Sequence, residues 1–263
     1  MLPTIISNVS ALRFDHPWFD PDRRYSVPCL WGTFGLAYDS AQIHDGPLEE
    51  SWKEYFEPRP ELVGKVIATP ESTDQFWTAA LYLGIDPCTE DPAAAARILE
   101  LLLAQKAKVA FYGQNDGSER WAKMVIDLDR QGKVALAHVY DADARVFRDN
   151  FLPTLAWIVP REGAMLWQTA LAVPYGAFHR DNARIFLDWL MAPRNIAAYS
   201  NAIRGTNAIA GSEAYLDPEL ARDQVAALTP DRIRRFRERR ACSPAAQELM
   251  RRVWAKIWPI SIR

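Results

Sequence analysis

Residues 30–38 are the part of this chain that most constrains its fold. Apolar residues alternate along this segment and glycines punctuate it, which predicts a strand. Downstream segments alternate between strand and helix patterns. The predicted strands are 30–38, 64–69, 109–112, 134–140, 154–159 and 164–174, and the predicted helices are 51–56, 73–84, 91–105, 119–129 and 180–191, followed by a mostly helical stretch at 213–263. This order is typical of α/β layers.

Composition agrees with a globular protein that has an ample core. The chain has 263 residues, of which 49% are hydrophobic and 24% charged, enough for one large or two ordinary domains. The longest apolar runs, such as residues 98–104, fall far short of the ~20 residues that cross a bilayer. The net charge of −2 argues against a nucleic-acid partner, because phosphate binding depends on accumulated Lys and Arg.

The cysteines and the first residues carry two further expectations. Cys29, Cys88 and Cys242 are odd in number and widely spaced, so we expect small buried apolar residues rather than a complete set of disulfides or a zinc site. Residues 1–20 lack a basic region followed by an apolar one, so we expect no signal peptide in the chain as written.

Several short blocks occur in a fixed order along nearly the whole chain. They are the "YSVPCLWGTFG" run at 25–35, residues 64–74, Gly132-Lys133-Val134 leading to Tyr140, the "PREG" turn at 160–163 followed by Trp167, and residues 181–193. In this order the blocks resemble the periplasmic solute-binding proteins of the spermidine/putrescine class, the extracellular components of ABC transporters. The first block begins about two dozen residues from Met1, so the opening part of the first lobe is expected to be missing.

The resemblance implies a fold and a function. The fold is a two-lobed, periplasmic-binding-protein-like α/β fold of type II, truncated at the N-terminus. Lobe one would comprise residues 1–37 and 164–213, and lobe two residues 38–163 and 214–263. The lobes would close by a hinge on a polyamine or a related small cationic amine. An ABC permease would be the partner, and the periplasm the location. No cofactor is implied.

Two acidic residues stand where the resemblance places amine-binding carboxylates. Glu71 and Asp74 lie three positions apart in the turn from a predicted strand into a helix. Carboxylates give ammonium groups charge-assisted hydrogen bonds. Helix capping is the alternative, since acidic residues in a first turn also complement the helix dipole. With the resemblance we favour both as ligand-binding residues, Asp74 foremost.

Aromatic residues would cover the methylenes of such a ligand and attract its charge. Trp167 follows the "PREG" turn at the spacing where the resemblance implies one aromatic wall, and Tyr140 ends a predicted strand where it implies another. For a tryptophan the alternative is core packing.

Two positions depart from the pattern of polyamine receptors. Thr169 stands where those receptors commonly carry an aspartate, and a hydroxyl brings no charge. A shorter or singly charged amine, such as an amino acid derivative, therefore becomes more plausible. Arg204 stands near a usual tyrosine and could bind a carboxylate, the alternative being a solvated turn residue.

Other classes of function have less support. Paired carboxylates and many aromatics also describe sugar-cleaving hydrolases, but no GxSxG, HExxH, GxxxxGK[ST] or post-strand GxGxxG motif occurs. The four histidines are scattered, so we expect no metal site, and the missing motifs together with the resemblance predict no enzyme. The basic run at 232–240 could meet an anionic partner, though a polar face of lobe two is favoured. A truncated receptor fragment without activity is the remaining alternative.

Overall fold

The computed structural model describes residues 17–113, 119–227 and 229–258. Most of residues 1–20, for which no signal peptide is expected, thus lie outside the described residues. The strands within the described ranges are β1 (Ser26–Asp39), β2 (Val66–Ala68), β3 (Val109–Tyr112), β4 (Leu136–Tyr140), β5 (Leu155–Ile158), β6 (Ala164–Ala172), β7 (Thr206–Asn207) and β8 (Phe236–Glu238).

The α-helices of the same ranges are α1 (Lys53–Phe56), α2 (Ser72–Tyr82), α3 (Pro92–Lys106), α4 (Glu119–Arg130), α5 (Asp141–Asn150), α6 (Arg180–Leu190), α7 (Pro193–Ile203), α8 (Pro218–Ala227), α9 (Pro230–Arg235) and α10 (Pro244–Ile257). Short 3-10 helices occupy Ser40–Gln42, Pro60–Leu62 and Ser212–Tyr215.

Local sequence signals set several helix starts. The Asp91 carboxylate accepts hydrogen bonds from the amides of Ala93 (2.9 Å) and Ala94 (3.2 Å), and Pro92 opens α3. Pro218, Pro230 and Pro244 likewise open α8, α9 and α10, since proline suits the first helical position. Four elements differ from the sequence-based expectation: α5, α7 and β7 lie where no element is predicted, and β8 lies within the stretch expected to be helical.

The chain divides into two compact units, and each is described by itself. Among the described residues, unit 1 contains those up to Gly32 together with Leu166–Arg234, and unit 2 contains Thr33–Met165 and those from Arg235 onward. The lobe borders inferred from the resemblance fall at other positions and stay a prediction.

The sheet of unit 2 combines parallel and antiparallel pairs. Strand β2 pairs in parallel with β3 and β4, whereas β4 and β5 pair antiparallel with β1. Strands β3, β2, β4 and β1 are neighbours in this order, and β5 pairs with β1 as well. In the β1–β4 register Phe34 is opposite Tyr140 and Leu36 is opposite His138. This register puts the end of β4 beside an aromatic residue of β1.

Aromatic and aliphatic side chains form the core of unit 2. Helix α10 packs on α2 and α3, and α3 also packs on α1. The largest fully buried side chains here are Leu36, Trp52, Tyr55, Phe56, Leu62, Phe76, Ile98 and Leu102. The "PREG" turn is fixed to the segment before α1, because the indole N–H of Trp52 donates to the Gly163 carbonyl (2.8 Å) and Glu162 accepts from the Ser51 hydroxyl.

Unit 1 has its own cores. Cys29 and Leu30 of β1 pack with Met191, Ile196 and Ile209. A second cluster joins Ala197 of α7 to Leu216 and Leu220, which brings α8 into this unit. Strand β7 pairs antiparallel with the start of β1.

Helix α6 of unit 1 carries a face of large apolar side chains that solvent reaches. Ile185, Phe186 and Trp189 are exposed, and the rings of Phe186 and Trp189 stack with centroids 6.0 Å apart. Tyr175 and Phe178, just before the helix, are almost fully exposed. The helix predicted at 180–191 is confirmed, and the exposure of its apolar side chains is a finding of the structure.

Candidate ligand-binding site

The turn between β2 and α2 presents the two predicted carboxylates. It is fixed by buried side chains: the Thr69 amide donates to the Tyr55 hydroxyl (3.3 Å), and the Gln75 amide group donates to the Thr69 carbonyl (3.0 Å). Glu71 is the residue before α2 and makes no side-chain capping bond, while Asp74 stands in the first turn. Backbone and core thus hold the turn without help from the Glu71 carboxylate.

Asp74 is an unusual carboxylate because it is only 3% exposed. Burial raises the pKa of Asp74 to about 6; the charge of Arg239 opposes this rise, and the charge of Glu71 adds to it. At neutral pH the group is therefore ionised although it is poorly hydrated. Such a carboxylate interacts strongly with any cation that reaches it.

Arg239 is the basic side chain that meets Asp74. Its guanidinium lies 3.5 Å from the Asp74 carboxylate, and its side chain is 51% exposed. Two other arginines of the basic run in unit 2 also pair with acids: Arg235 pairs with Glu50, and Arg240 pairs with Asp86. The run therefore serves as a polar, ion-paired surface where it lies in unit 2.

The segment that carries Arg239 is tethered on its C-terminal side. Arg240 donates to both carboxylate oxygens of Asp86, at 2.8 and 2.6 Å. Cys88 and Cys242 form a disulfide with their Cα atoms 5.1 Å apart, and the Ser243 hydroxyl donates to Glu90 at 2.5 Å. These contacts hold the segment on the loop between α2 and α3.

The disulfide corrects the expectation for two of the three cysteines. Cys88 and Cys242 are covalently paired, because the fold brings together residues that are 154 positions apart. Cys29 fits the expectation: its thiol is free and buried, and burial raises its pKa to about 11.

Tyr140 lies close enough to Asp74, Glu71 and Arg239 for their charges to act on its phenol. Burial raises the pKa of its phenol to about 12, and Asp74, Asp143 and Glu71 contribute to the rise. The ring is half-buried and contacts Phe34, with centroids 4.0 Å apart. Tyr140 therefore keeps its proton at physiological pH and offers both an aromatic face and a hydroxyl donor. The structure thus brings Glu71, Asp74 and Tyr140 together with Arg239 and Asp143, two residues that sequence reasoning did not assign to the site.

His138 packs in the core against Phe34, whose ring also contacts Tyr140. Its ring contacts Phe34, Trp52 and Tyr55, with centroids 5.1–5.3 Å apart. Burial lowers the pKa of His138 to about 3, so the imidazole is neutral at physiological pH. It acts as a packing residue between β1 and α1.

The other three predicted residues belong to unit 1 and are described within that unit. Trp167 and Thr169 lie two positions apart on β6; Trp167 packs against the Cys29–Leu30 core, and Thr169 is exposed. Arg204 ends α7 in a left-handed conformation (φ 55°) and pairs with Asp217 at 3.3 Å and Glu219 at 3.6 Å. Its side chain is 15% exposed, which differs from a solvated turn residue.

The described parts of the chain show neither a metal-binding cluster nor a membrane-spanning helix. No group of three or more His, Cys, Asp or Glu side chains there is arranged to hold a metal ion. None of the helices in those parts combines the length and the hydropathy that a membrane span requires.

The chain belongs to the family of bacterial extracellular solute-binding proteins, whose pattern matches residues 6–227. It is 24% identical over 250 residues to the putrescine/agmatine-binding protein of Pseudomonas aeruginosa, covering 90% of this chain and 66% of that protein. It is 27% identical over 213 residues to the spermidine/putrescine-binding periplasmic protein of Salmonella typhimurium, covering 81% and 57%. The chain thus spans less than two thirds of either relative.

Solved structures agree on the fold. The spermidine/putrescine ABC transporter substrate-binding protein PotD of Streptococcus pneumoniae superposes with a TM-score of 0.80 at 16% identity, covering 96% of this chain and 74% of that one. The Tp0655 (TpPotD) lipoprotein of Treponema pallidum gives 0.77 at 17% identity, covering 98% and 76%. The predicted family and its periplasmic-binding-protein-like α/β fold are confirmed. This family is one of solute-binding proteins and not of enzymes.

Proposed function

We propose that this chain is the substrate-binding component of an ABC uptake transporter for a polyamine, such as putrescine or spermidine, or for a related small cationic amine. One observation carries the proposal: Asp74 is a buried, ionised carboxylate with Glu71 and Tyr140 beside it. An ammonium group replaces water at such a carboxylate with a charge-assisted hydrogen bond, and the face of the Tyr140 ring attracts the cation by ~0.5–2 kcal/mol.

The relatives' names support the same class of ligand. Both named relatives bind putrescine according to their names, and one is periplasmic. Trp167, Thr169 and Arg204 of unit 1 remain proposed ligand-binding residues on the strength of the resemblance. An ABC permease is the proposed membrane partner, and no catalytic step is proposed.

A periplasmic location is proposed on a second ground. The Cys88–Cys242 disulfide is typical of a protein that folds in an oxidising compartment.

The ion pairs that balance Arg235, Arg239 and Arg240 favour a polar protein surface over a nucleic-acid-binding one.

A thermal-shift panel tests the proposal. At pH 8, putrescine or spermidine at about 100 times its dissociation constant should raise the melting temperature by roughly 5–10 °C, whereas uncharged 1,4-butanediol should not. Asp74→Asn should abolish the shift, because the amide oxygen carries no charge.

The matched control is Asp127→Asn, which makes the same change at an exposed position on α4. The control should keep the full shift. If no cationic amine stabilises the wild-type chain, or if Asp74→Asn responds like the wild type, the proposed function is wrong. A sugar-dependent shift would instead favour the hydrolase alternative.

A further inference from the structure

Arg239 puts a fixed positive charge at the proposed ammonium site. Its guanidinium nitrogen is 3.5 Å from a carboxylate oxygen of Asp74. Strong charge-assisted N–H···O bonds measure about 2.7–2.9 Å, so this pair is loose. A loose pair leaves room for a ligand atom to improve the contacts of both partners.

The segment that carries Arg239 is built to stay in place. Strand β8 precedes it, and the Arg240–Asp86 pair, the disulfide and the Ser243–Glu90 bond follow it within four residues. Because the backbone is held, a ligand does not remove the Arg239 charge simply by displacing the segment. A ligand bound at Asp74 therefore has the Arg239 guanidinium within the reach of one arginine side chain.

The charges around Asp74 favour a ligand that carries both signs. A diamine brings two ammonium groups, and either group near Asp74 is repelled by Arg239 and competes with it. A ligand with one ammonium and one carboxylate meets a complementary pair: its ammonium faces Asp74 and Glu71, and its carboxylate faces Arg239. The planar guanidinium matches a carboxylate by parallel N–H···O bonds.

Accessibility separates Arg239 from the other arginine considered as a carboxylate ligand. The Arg239 side chain is 51% exposed beside the cluster of Asp74 and Tyr140, whereas the Arg204 side chain is 15% exposed. The half-buried Tyr140 ring belongs to the same cluster, because the charges of Asp74 and Arg239 both act on its phenol.

We propose that Arg239 binds a carboxylate, so that the ligand class is a short aliphatic aminocarboxylate held between Arg239 and the Asp74–Glu71 pair. This inference rests on the proposed function, since it keeps the ammonium site at Asp74. It narrows the cationic amines to those that also carry a carboxylate.

Calorimetric titration of the full chain at pH 8 tests the inference. The probes are 4-aminobutyrate and 5-aminopentanoate, with putrescine and cadaverine as the diamines of matched length. The wild-type chain should bind at least one aminocarboxylate more tightly than its matched diamine. Arg239→Gln should weaken the aminocarboxylate about tenfold or more and strengthen the diamine, because it removes a ligand for the carboxylate and a competitor of the ammonium.

Two further variants sharpen the result. Arg239→Lys keeps the charge but loses the bidentate geometry, so it should fall between the wild type and Arg239→Gln. Arg251→Gln makes the same change on α10, where Arg251 pairs with Glu248 at 2.8 Å, and should bind like the wild type. Opposite responses of the two ligand classes to Arg239→Gln would support the inference, because general unfolding weakens both.

The inference and the proposed function fail in different ways. If diamines bind and aminocarboxylates do not, or if Arg239→Gln weakens both classes equally, Arg239 does not select a carboxylate and only the inference is wrong. If neither class binds, the ammonium site itself is wrong and the proposed function falls with it.

Discussion

Ammonium binding at this site places two opposing requirements on the Asp74 carboxylate. Asp74 must be poorly hydrated to attract an ammonium strongly, yet it must stay ionised to do so. Burial alone would push its pKa upward, and the nearby Arg239 charge limits the rise, so that the pKa is about 6. Asp74 is therefore charged at neutral pH and becomes protonated only in mild acid.

Ligand affinity should consequently depend on pH near 6. An amine with a pKa of about 10 stays cationic throughout, so protonation of Asp74 controls the change. We expect affinity to be constant above pH 7 and to fall as pH decreases through about 6, by up to about tenfold per unit. Titrations between pH 5 and 8 measure this. A flat profile down to pH 5 would contradict the role of Asp74.

Because the pKa of Asp74 is raised, the ionised carboxylate lowers the stability of the unliganded fold. Its folded pKa is raised, so its contribution to stability is full at low pH and is lost as pH rises through about 6. In the absence of ligand, Asp74→Asn should therefore raise the free energy of unfolding at pH 8, by up to about 3 kcal/mol. Urea unfolding at pH 8 and pH 4 measures the difference, which should shrink at pH 4. Equal effects at both pH values would contradict this.

The titration of His138 should change stability with pH in the direction opposite to that of Asp74. Its folded pKa of about 3 lies below the ordinary value of 6.5, so its stabilising contribution is present above pH 6.5 and is lost as pH falls toward 3. At pH 5 the loss is about 2 kcal/mol. We expect His138→Phe to lose less stability than the wild type between pH 7 and pH 5. The same change at exposed His44 is the matched control.

Residue-level sequence reasoning predicted part of this cluster. Glu71, Asp74 and Tyr140 follow strands in recognisable blocks, so their proximity could be expected. Arg239 could not, because its partner Asp74 is 165 positions away and a run of arginines does not identify which one reaches a carboxylate. Arg239 is identified only by the folded structure, which places it against Asp74.

Among the elements, the strands and helices with strong periodic patterns were predicted best. Helices α2, α3 and α6 lie within a few residues of their predicted bounds. Helix α5 was missed because its pattern is largely polar: Asp141 and Arg145 pair with each other at 2.8 Å within the fold rather than mark an apolar face. Strand β8 was missed because arginines and a glutamate carry no strand pattern.

The disulfide is the element-scale feature with the clearest test. It closes a loop of 154 positions, so it should stabilise the chain by about 3–5 kcal/mol. The paired change Cys88→Ser with Cys242→Ser should lower the free energy of unfolding by that amount, while Cys29→Ala leaves the disulfide intact. Thiol titration of the denatured, unreduced wild-type chain should find the single thiol of Cys29. A count equal to all three cysteines would contradict the pairing.

At the scale of the whole molecule, the order of the blocks was more informative than any one of them. The family and its α/β fold follow from that order, and the match over residues 6–227 confirms them. Individual roles were harder to predict because a tryptophan or an arginine serves cores and ion pairs as readily as ligands. Trp167, which packs on the core of unit 1, and Arg204, which pairs with Asp217, illustrate this.

The most direct test of the central claim is a crystal structure of the chain grown with a saturating cationic amine, putrescine or 4-aminobutyrate. We predict an ammonium nitrogen about 2.7–2.9 Å from a carboxylate oxygen of Asp74, with the carbon chain against the Tyr140 ring. A bound amine with its nitrogen elsewhere, and Asp74 still paired only with Arg239, would contradict the claim that Asp74 is the ammonium-binding carboxylate.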